Sequence, residues 1–388
     1  MKIAQVCPFF YPVEGGVEKH VLRISLELSR RGHQIEVFTS RGLRGSGAFP
    51  KSASVGRVVV HRYAPLLALG EFGSFWPGFA PKVLETRCDV IHSHSFRHPH
   101  CDISAATSKA VGARSVLTGH SPFHPNGVRS PLARGLTPVY DGIVAPFTLR
   151  AFDEIISLTE AERSMMIRLG APRNHVTIIP NGVEDENFVT APTAGFISRF
   201  KLEGMRIVLF LGRINRTKGL EYLLEAFART VSEVPDCHLV LAGPATGPEE
   251  EGYLQFLIST ADRLGVSSRV TLTGRLTDED KLAALQACDI FVLPSLYEPF
   301  GIVLLEAAAH SKPIVSAASD GPSSILQSGD NGMLVRPGDA KQLGDAMVLL
   351  LEDSNLMRKL GRNGRITAEG YRWERIVDRI EDVYRGVN

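Results

Sequence analysis

Cysteine is scarce and scattered: Cys7, Cys88, Cys101, Cys237 and Cys288 are five among 388 residues, with no Cys-x-x-Cys spacing and no even framework. That excludes a disulfide scaffold and reads as small buried hydrophobes in a reducing compartment. No apolar run approaches the ~20 residues a membrane helix requires. At the N-terminus the short run Ile3 to Phe10 gives way to Pro12 and Gly15-Gly16, which is not the pattern of a signal peptide. Neither sign of charge dominates; 43 Lys and Arg against 42 Asp and Glu leave a formal net charge of +1, so a whole-chain nucleic-acid signature is missing. Hydrophobic residues at 44% and charged residues at 22% exclude a disordered chain. The expectation is a cytoplasmic protein without nucleic-acid partners, long enough for roughly two to three domains.

What charge there is segregates. Residues 1–150 hold 18 basic and 9 acidic side chains, a surplus of +9, whereas residues 151–388 hold 25 and 33, or −8. Ten of the twelve histidines precede residue 176. A basic first half suits a polyanionic partner or peripheral contact with the inner face of a membrane. The aromatic stretch Phe72 to Phe79 could dip into that interface or pack as an ordinary loop and helix start.

Short β-branched runs alternate with amphipathic helical stretches throughout, the pattern of parallel α/β sheets. The first series of strands runs Ile3–Phe9, Ile35–Thr39, Val58–Tyr63, Val90–Ser93, Ser115–Thr118, Ile155–Leu158 and Val176–Ile179. The second runs Ile207–Leu211, Leu239–Ala242, Val270–Thr273, Ile290–Leu293, Ile314–Ser316 and Met333–Val335. Between them, Pro180-Asn181-Gly182, the acids at 184–186 and Ala191-Pro192-Thr193-Ala194-Gly195 have turn chemistry and no apolar period, so they read as a linker. The predicted domains are 1–190 and 191–370, two Rossmann-like α/β sheets facing each other across a cleft, with a helix in 371–388. Ligands of open α/β sheets bind at the carboxyl ends of the strands.

The motifs fall at such ends. After the strand ending at Leu293, the loop Glu298-Pro-Phe300-Gly301 opens a helix Ile302-Val303-Leu-Leu-Glu306. Its first backbone N–H groups suit a phosphate, and Gly301 has no Cβ to hold one off. After Leu211, Gly212-Arg213 and Lys218-Gly219 supply two cations suited to a diphosphate. Asp278-Glu279-Asp280 matches the Asp-x-Asp pattern of some metal sites, yet behind Thr277 it reads as a helix N-cap with first-turn acids. His92 and His94, with His98 and His100, lack a carboxylate or cysteine to complete a metal set.

These segments resemble the family 4 retaining glycosyltransferases. The resemblance rests on Leu211-Gly-Arg213 through Lys218, Val240-Leu-Ala-Gly243, Leu272-Thr-Gly-Arg275, and above all Glu298-Pro-Phe-Gly-Ile-Val-Leu-Leu-Glu306. It extends to Ile179-Pro-Asn-Gly182-Val, Asn331 to Asp339, and Pro12-Val-Glu-Gly15-Gly16-Val-Glu-Lys19-His20. It implies the GT-B fold, with the final helix crossing back to the first domain, and transfer of a sugar from a UDP- or GDP-sugar, GDP-mannose included, to a hydroxyl of a lipid, glycan or small molecule. It assigns Arg213 and Lys218 to the diphosphate, Glu306 to the ribose and Glu298 to the donor sugar. Phe300, Gly301, Ile302 and Val303 would form the amide-donating turn, Arg275 and Leu276 would line the nucleobase pocket, and Gly15 and Gly16 would close over the phosphates. His120, in Thr118-Gly119-His120-Ser121, matches the histidine against the donor sugar.

No metal and no cofactor are expected, because Arg213, Lys218 and a helix dipole cover the diphosphate charge. The chain departs from many relatives at Asp320-Gly321-Pro322-Ser323-Ser324, where they carry Gly-Gly-x-x-Glu. Rival readings are a nucleotide-sugar epimerase on the same fold and a non-catalytic nucleotide-sugar-binding protein. An NAD-dependent oxidoreductase is disfavoured because no Gly-x-Gly-x-x-Gly follows the first strand.

Overall fold

The computed structural model describes residues 1–13, 15–41, 49–68, 74–120 and 131–387. Glu14, Phe72 and Ser121 lie outside them. The chain forms two compact units, Met1–Gly182 with Trp373–Asn388, and Val183–Arg372.

In the first unit the strands are β1 (Lys2–Cys7), β2 (Gln34–Ser40), β3 (Ser52–Val55), β4 (Val58–Tyr63), β5 (Leu67–Ala68), β6 (Ser74–Phe75), β7 (Val90–His94), β8 (Arg114–Thr118), β9 (Glu154–Ser157) and β10 (Val176–Ile178). Eight of them make one sheet in the order β10-β9-β8-β7-β1-β2-β4-β3. All its pairings are parallel except β3 with β4. The second unit holds β11 (Arg206–Leu211), β12 (Cys237–Ala242), β13 (Val270–Gly274), β14 (Ile290–Leu293), β15 (Ile314–Ala317) and β16 (Met333–Val335), a parallel sheet in the order β13-β12-β11-β14-β15-β16. Both are doubly wound. The order reverses between β1 and β7 in the first sheet and between β11 and β14 in the second, and loops leaving strands at such a reversal diverge to opposite faces and leave a crevice.

Two sequence expectations need correction. β3 was missed because Ser52 and Ser54 break the apolar pattern; an antiparallel edge strand beside a Gly56 turn (φ +58°) tolerates them. The division between units also falls at 182/183, ahead of the predicted 190. Residues 183–190 pack with the second unit, where the Val183 amide donates to the Tyr371 carbonyl and the Phe188 ring lies under Arg365 and Arg372. Polar residues hid this segment's packing, since apart from the buried Val183 its main apolar contact is an aromatic ring stacked by guanidinium groups. Trp76 and Phe79 are 1% and 0% exposed, packed with Phe38, Val83 and Cys88, so that part of the aromatic stretch is core.

All five cysteines are buried free thiols. The last helix, Trp373–Arg385, belongs to the first unit. Its buried Ile376, Val377, Ile380, Val383 and Tyr384 recur at one-turn spacing and share a core cluster with Val21, Ile24 and Leu28 of the helix Gly16–Arg30. Glu381 anchors it further, 2.5 Å from Arg31 and 2.6 Å from His33. Ile380→Ala should therefore cost about 2–5 kcal/mol, the range for truncating a core aliphatic. Denaturant unfolding followed by circular dichroism measures it; a loss within about 0.5 kcal/mol, typical of a surface site, would mean that the helix is not integral to the first unit.

Candidate functional site

In the second unit the reversal between β11 and β14 sets two loops side by side. The loop after β11 passes Gly212 and Arg213 into the short helix Arg216–Lys218, which Asn215 caps by accepting the Thr217 amide. The loop after β14 carries Glu298 to Gly301. They are stitched where the Leu296 amide donates to the Thr217 carbonyl, and Gly219 (φ +61°) passes so near the Pro294 carbonyl that a Cβ there would sit 2.7 Å from it. Lys218 Nζ and the Glu298 carboxylate consequently meet at 2.6 Å, both largely buried. A buried pair of this kind is weakly stabilising by itself and strongly felt if one partner is removed.

Glu298 is followed by Gly301 at φ +88°, which no bulkier residue adopts easily, and by the helix Ile302–Ala309, whose N-terminus has no side-chain cap. Gly321, in the segment that departs from relatives, packs on this loop; its amide donates to the Glu298 carbonyl, and a Cβ there would meet the Phe300 backbone at 2.4 Å. Glu306, 4% exposed, receives Lys281 Nζ at 2.7 Å. Arg213 reaches Glu250 at 2.6 Å. Burial alone would raise the Glu250 carboxyl, but hydrogen bonds from Thr246 and the charge of Arg213 outweigh it and hold it below its ordinary value. Arg275 and Leu276 follow β13, with Arg275 exposed. Thr277 caps the next helix by accepting the Asp280 amide, and Asp280 pairs with Arg199 at 2.8 Å, so the Asp-x-Asp pattern forms a helix start. Lys281 and Glu250, which the sequence reading missed, are ordinary helical charges until the fold places them.

In the first unit Gly15 and Gly16 open the helix Gly16–Arg30, and His120 (φ +58°) follows β8. Around His120 lies a buried hydrogen-bonded chain that crosses the sheet reversal. His94 Nε2 lies 2.7 Å from Gln5 Oε1, an atom that can only accept, so the proton is on Nε2 and His94 Nδ1 is the acceptor. His120 Nε2, 3.1 Å from that Nδ1, therefore donates, leaving Nδ1 of His120 with its lone pair. At the other end Gln5 Nε2 donates to Tyr384 Oη at 3.1 Å, and the phenol O–H, with one proton to give, donates to His92 Nδ1 at 2.7 Å. His92 Nε2 then donates to Thr118 Oγ1 at 2.7 Å. Burial pushes His92, His94 and His120 well below the ordinary imidazole value, with neighbouring histidines adding to it, so all three are neutral as this chain requires.

His20 packs edge-on to His120 with centroids 4.7 Å apart. His20, His94 and His120 are the one trio among the described residues with donor atoms close enough, within 4.8 Å, to hold a metal ion. A metal there would have to break the His94–His120 hydrogen bond. Of the predicted histidines, His100 is used elsewhere, donating Nε2–H to the His94 carbonyl. Neither Gln5 nor Tyr384 carried a sequence signal beyond its apolar neighbours.

Imidazole ¹⁵N spectra should show His120 as the Nε2–H tautomer in the unaltered protein and a tautomer mixture in Tyr384→Phe, where the Gln5 amide loses the partner that orients it. A pure Nδ1–H signal in the unaltered protein would overturn the direction of the chain.

Comparison with known proteins bears on both units. Residues 14–187 match the family model described as Glycosyltransferase Family 4, and residues 196–367 match that of Glycosyl transferases group 1. The phosphatidyl-myo-inositol mannosyltransferase of Mycobacterium leprae is 30% identical over 395 residues, covering 100% of this chain and 97% of that protein. The alpha-D-kanosaminyltransferase of Streptomyces kanamyceticus is 28% identical over 368 residues, 87% of this chain and 92% of its own. Among solved structures, Anabaena HepE in complex with UDP superposes with a TM-score of 0.81 at 22% identity, with 100% of each chain covered, a likeness of fold. Two doubly wound parallel sheets, each matched by a glycosyltransferase family model, in a chain that a mannosyltransferase resembles along its whole length, leave one conclusion: the chain belongs to the family 4 glycosyltransferases.

Proposed function

We propose that this glycosyltransferase moves a hexose, mannose by preference, from a nucleoside-diphosphate donor to a hydroxyl of a lipid-borne polyol, with retention at the anomeric carbon. The observation that carries the donor half is the Lys218–Glu298 pair at the sheet reversal, beside the uncapped N-terminus of the helix Ile302–Ala309. Lys218 and Arg213 would neutralise the diphosphate, and the Gly301, Ile302 and Val303 amides would bind its oxygens. Each cation now faces a carboxylate, Glu298 or Glu250, and an arriving diphosphate would compete for it. Glu306 would take the ribose hydroxyls, Arg275 and Leu276 the base, and Glu298 the sugar. In the first unit Gly15 and Gly16 would approach the phosphates, and His120 Nδ1 would accept from a donor-sugar hydroxyl. The full-length likeness to phosphatidyl-myo-inositol mannosyltransferases supports the choice of sugar and acceptor.

For the chemical step, the bond from the anomeric carbon to the phosphate oxygen breaks as the acceptor oxygen bonds to the same face. The acceptor proton passes to the departing phosphate oxygen. Arg213 and Lys218 hold the developing charge, which is why a metal ion is not required in this reading.

Contact with a lipid-borne acceptor draws support from a feature the sequence reading missed. Leu136, Val139, Ile143 and Phe147 recur at spacings of three and four along the continuous helical stretch 131–151, and all are exposed, Phe147 to 74%. An apolar stripe on a basic half suits an anionic membrane surface. No helix among the described residues is long and apolar enough to cross a membrane.

Two expected outcomes follow. Arg213→Ala and Lys218→Ala should each lower turnover by about 10²-fold or more, in keeping with roughly 3 kcal/mol for a preorganised charge contact; EDTA should leave turnover unchanged, and NMR of the product from an α-linked donor should show an α-glycoside. A β-product overturns the retaining route, and loss of activity on chelation overturns the metal-free one. Ile143→Asp with Phe147→Asp should release the protein from phosphatidylglycerol vesicles in sedimentation; unchanged binding sinks the role given to the stripe.

A further inference from the structure

The helix Ser354–Glu369 lines a surface groove of about 570 Å³ with Asn355, Arg358, Lys359, Arg362 and Arg365, and Ser311 closes the other side. Four of the six lining residues are cations and none is an acid. We infer that this groove is a binding site for a phosphate-bearing anion, separate from the donor site.

Three observations carry this. First, the cations are poorly neutralised. Arg358 contacts Asn355 Oδ1 at 2.5 Å, Lys359 the Gly329 carbonyl at 3.0 Å, and Arg365 the Ala309 and Phe188 carbonyls, all neutral acceptors. The carboxylate that approaches them is Glu369, 4.0 Å from Arg365. Elsewhere in this unit cations meet acids directly, as in Arg199–Asp280 and Arg206–Asp236 at 2.8 and 3.0 Å. A surplus of positive charge in one groove is therefore not the habit of a region whose sequence is net negative.

Second, the groove is built by backbone. Gly361 lets the helix press so close to the chain at Ser311 (φ +59°) that a Cβ would sit 2.1 Å from the Ser311 carbonyl oxygen. That approach places the turn from Arg358 to Arg362 beside the end of the helix Ile302–Ala309. Arg365 covers the terminal Ala309 carbonyl, which would otherwise repel an anion. Third, neighbouring cations add to burial in disfavouring protonation of the adjoining His310. Burial first, then Lys312, with Arg365 and Lys281 in the same direction and Glu306 opposing, push its imidazole down to about 4.

Guanidinium forks match phosphate oxygens in pairs, and several cations in one groove favour a ligand with more than one negative charge. The volume is that of a small-molecule site. The phosphate could be free or on a lipid headgroup, and the two sources are separable.

Titration calorimetry with inorganic pyrophosphate and inositol hexakisphosphate, in the chain carrying Arg213→Ala and Lys218→Ala so that the donor site is silent, should show one site. Adding Arg358→Ala and Arg362→Ala should weaken it at least tenfold, whereas Arg358→Lys with Arg362→Lys, which keeps the charge and loses the forks, should fall between the two. Both positions are exposed, and circular dichroism checks that the helix persists. The headgroup arm compares phosphatidylglycerol with phosphatidylcholine vesicles, with and without Arg358→Ala and Arg362→Ala, in the chain that keeps Ile143 and Phe147. Loss of either soluble or vesicle binding with Arg358 and Arg362 supports the site and names its source. Equal binding with and without those arginines in both arms overturns it.

Discussion

A parallel sheet delivers the carboxyl ends of all its strands to one edge, and the candidate chemistry of this protein depends on that constraint. Where the strand order reverses, neighbouring loops part to opposite faces and leave polar groups that neither helix layer covers. In the second unit the reversal between β11 and β14 seats Lys218 against Glu298; in the first, the reversal between β1 and β7 seats Gln5 against His94. Glycines maintain the crowding. Gly243 runs so close to the Gly212 carbonyl that a Cβ would sit 1.9 Å away, and its own amide donates to Gly274.

The two reversals use different electrostatics. The second unit keeps charges, three of its cations each held by a carboxylate: Arg213 by Glu250, Lys218 by Glu298, Lys281 by Glu306. A ligand with its own negative charge can take the place of such a carboxylate, so the cation is never left unpaired. The first unit keeps its buried polar chain neutral. Desolvation suppresses protonation of His92, His94 and His120, and the hydrogen bonds then fix which nitrogen bears each proton. Directional hydrogen bonding suits hydroxyl groups, whereas formal charge suits phosphates.

The C-terminal helix links this arrangement to stability. Ile376, Ile380 and Val383 fill the same core as Ile24 and Leu28, while Tyr384 enters the polar chain from the same helix face. A phenol serves both ends, because its ring is apolar and its hydroxyl needs a partner when buried.

Much of this was legible in the sequence. Periodicity located thirteen of the strands, since a strand buried on both faces must be a short apolar run, and the Glu298-to-Glu306 segment identified the family through a residue pattern rather than through any contact. Thr277 before three acids announced a helix start because capping is local. The misses share a cause. β3 lies at an edge, where patterning is weakest; Phe188 is held by arginines 177 and 184 residues away; Glu250, Lys281, Gln5 and Tyr384 acquire meaning only from partners distant in the chain. The sequence by itself determined the two parallel sheets, the family and the residues at the strand ends, because those follow from local periodicity and turn chemistry. Tertiary structure alone decided which carboxylate holds which cation, which nitrogen of His120 carries the proton, and that Arg358 and Arg362 flank a groove without acids, because each of these is a distance between residues that local sequence does not encode.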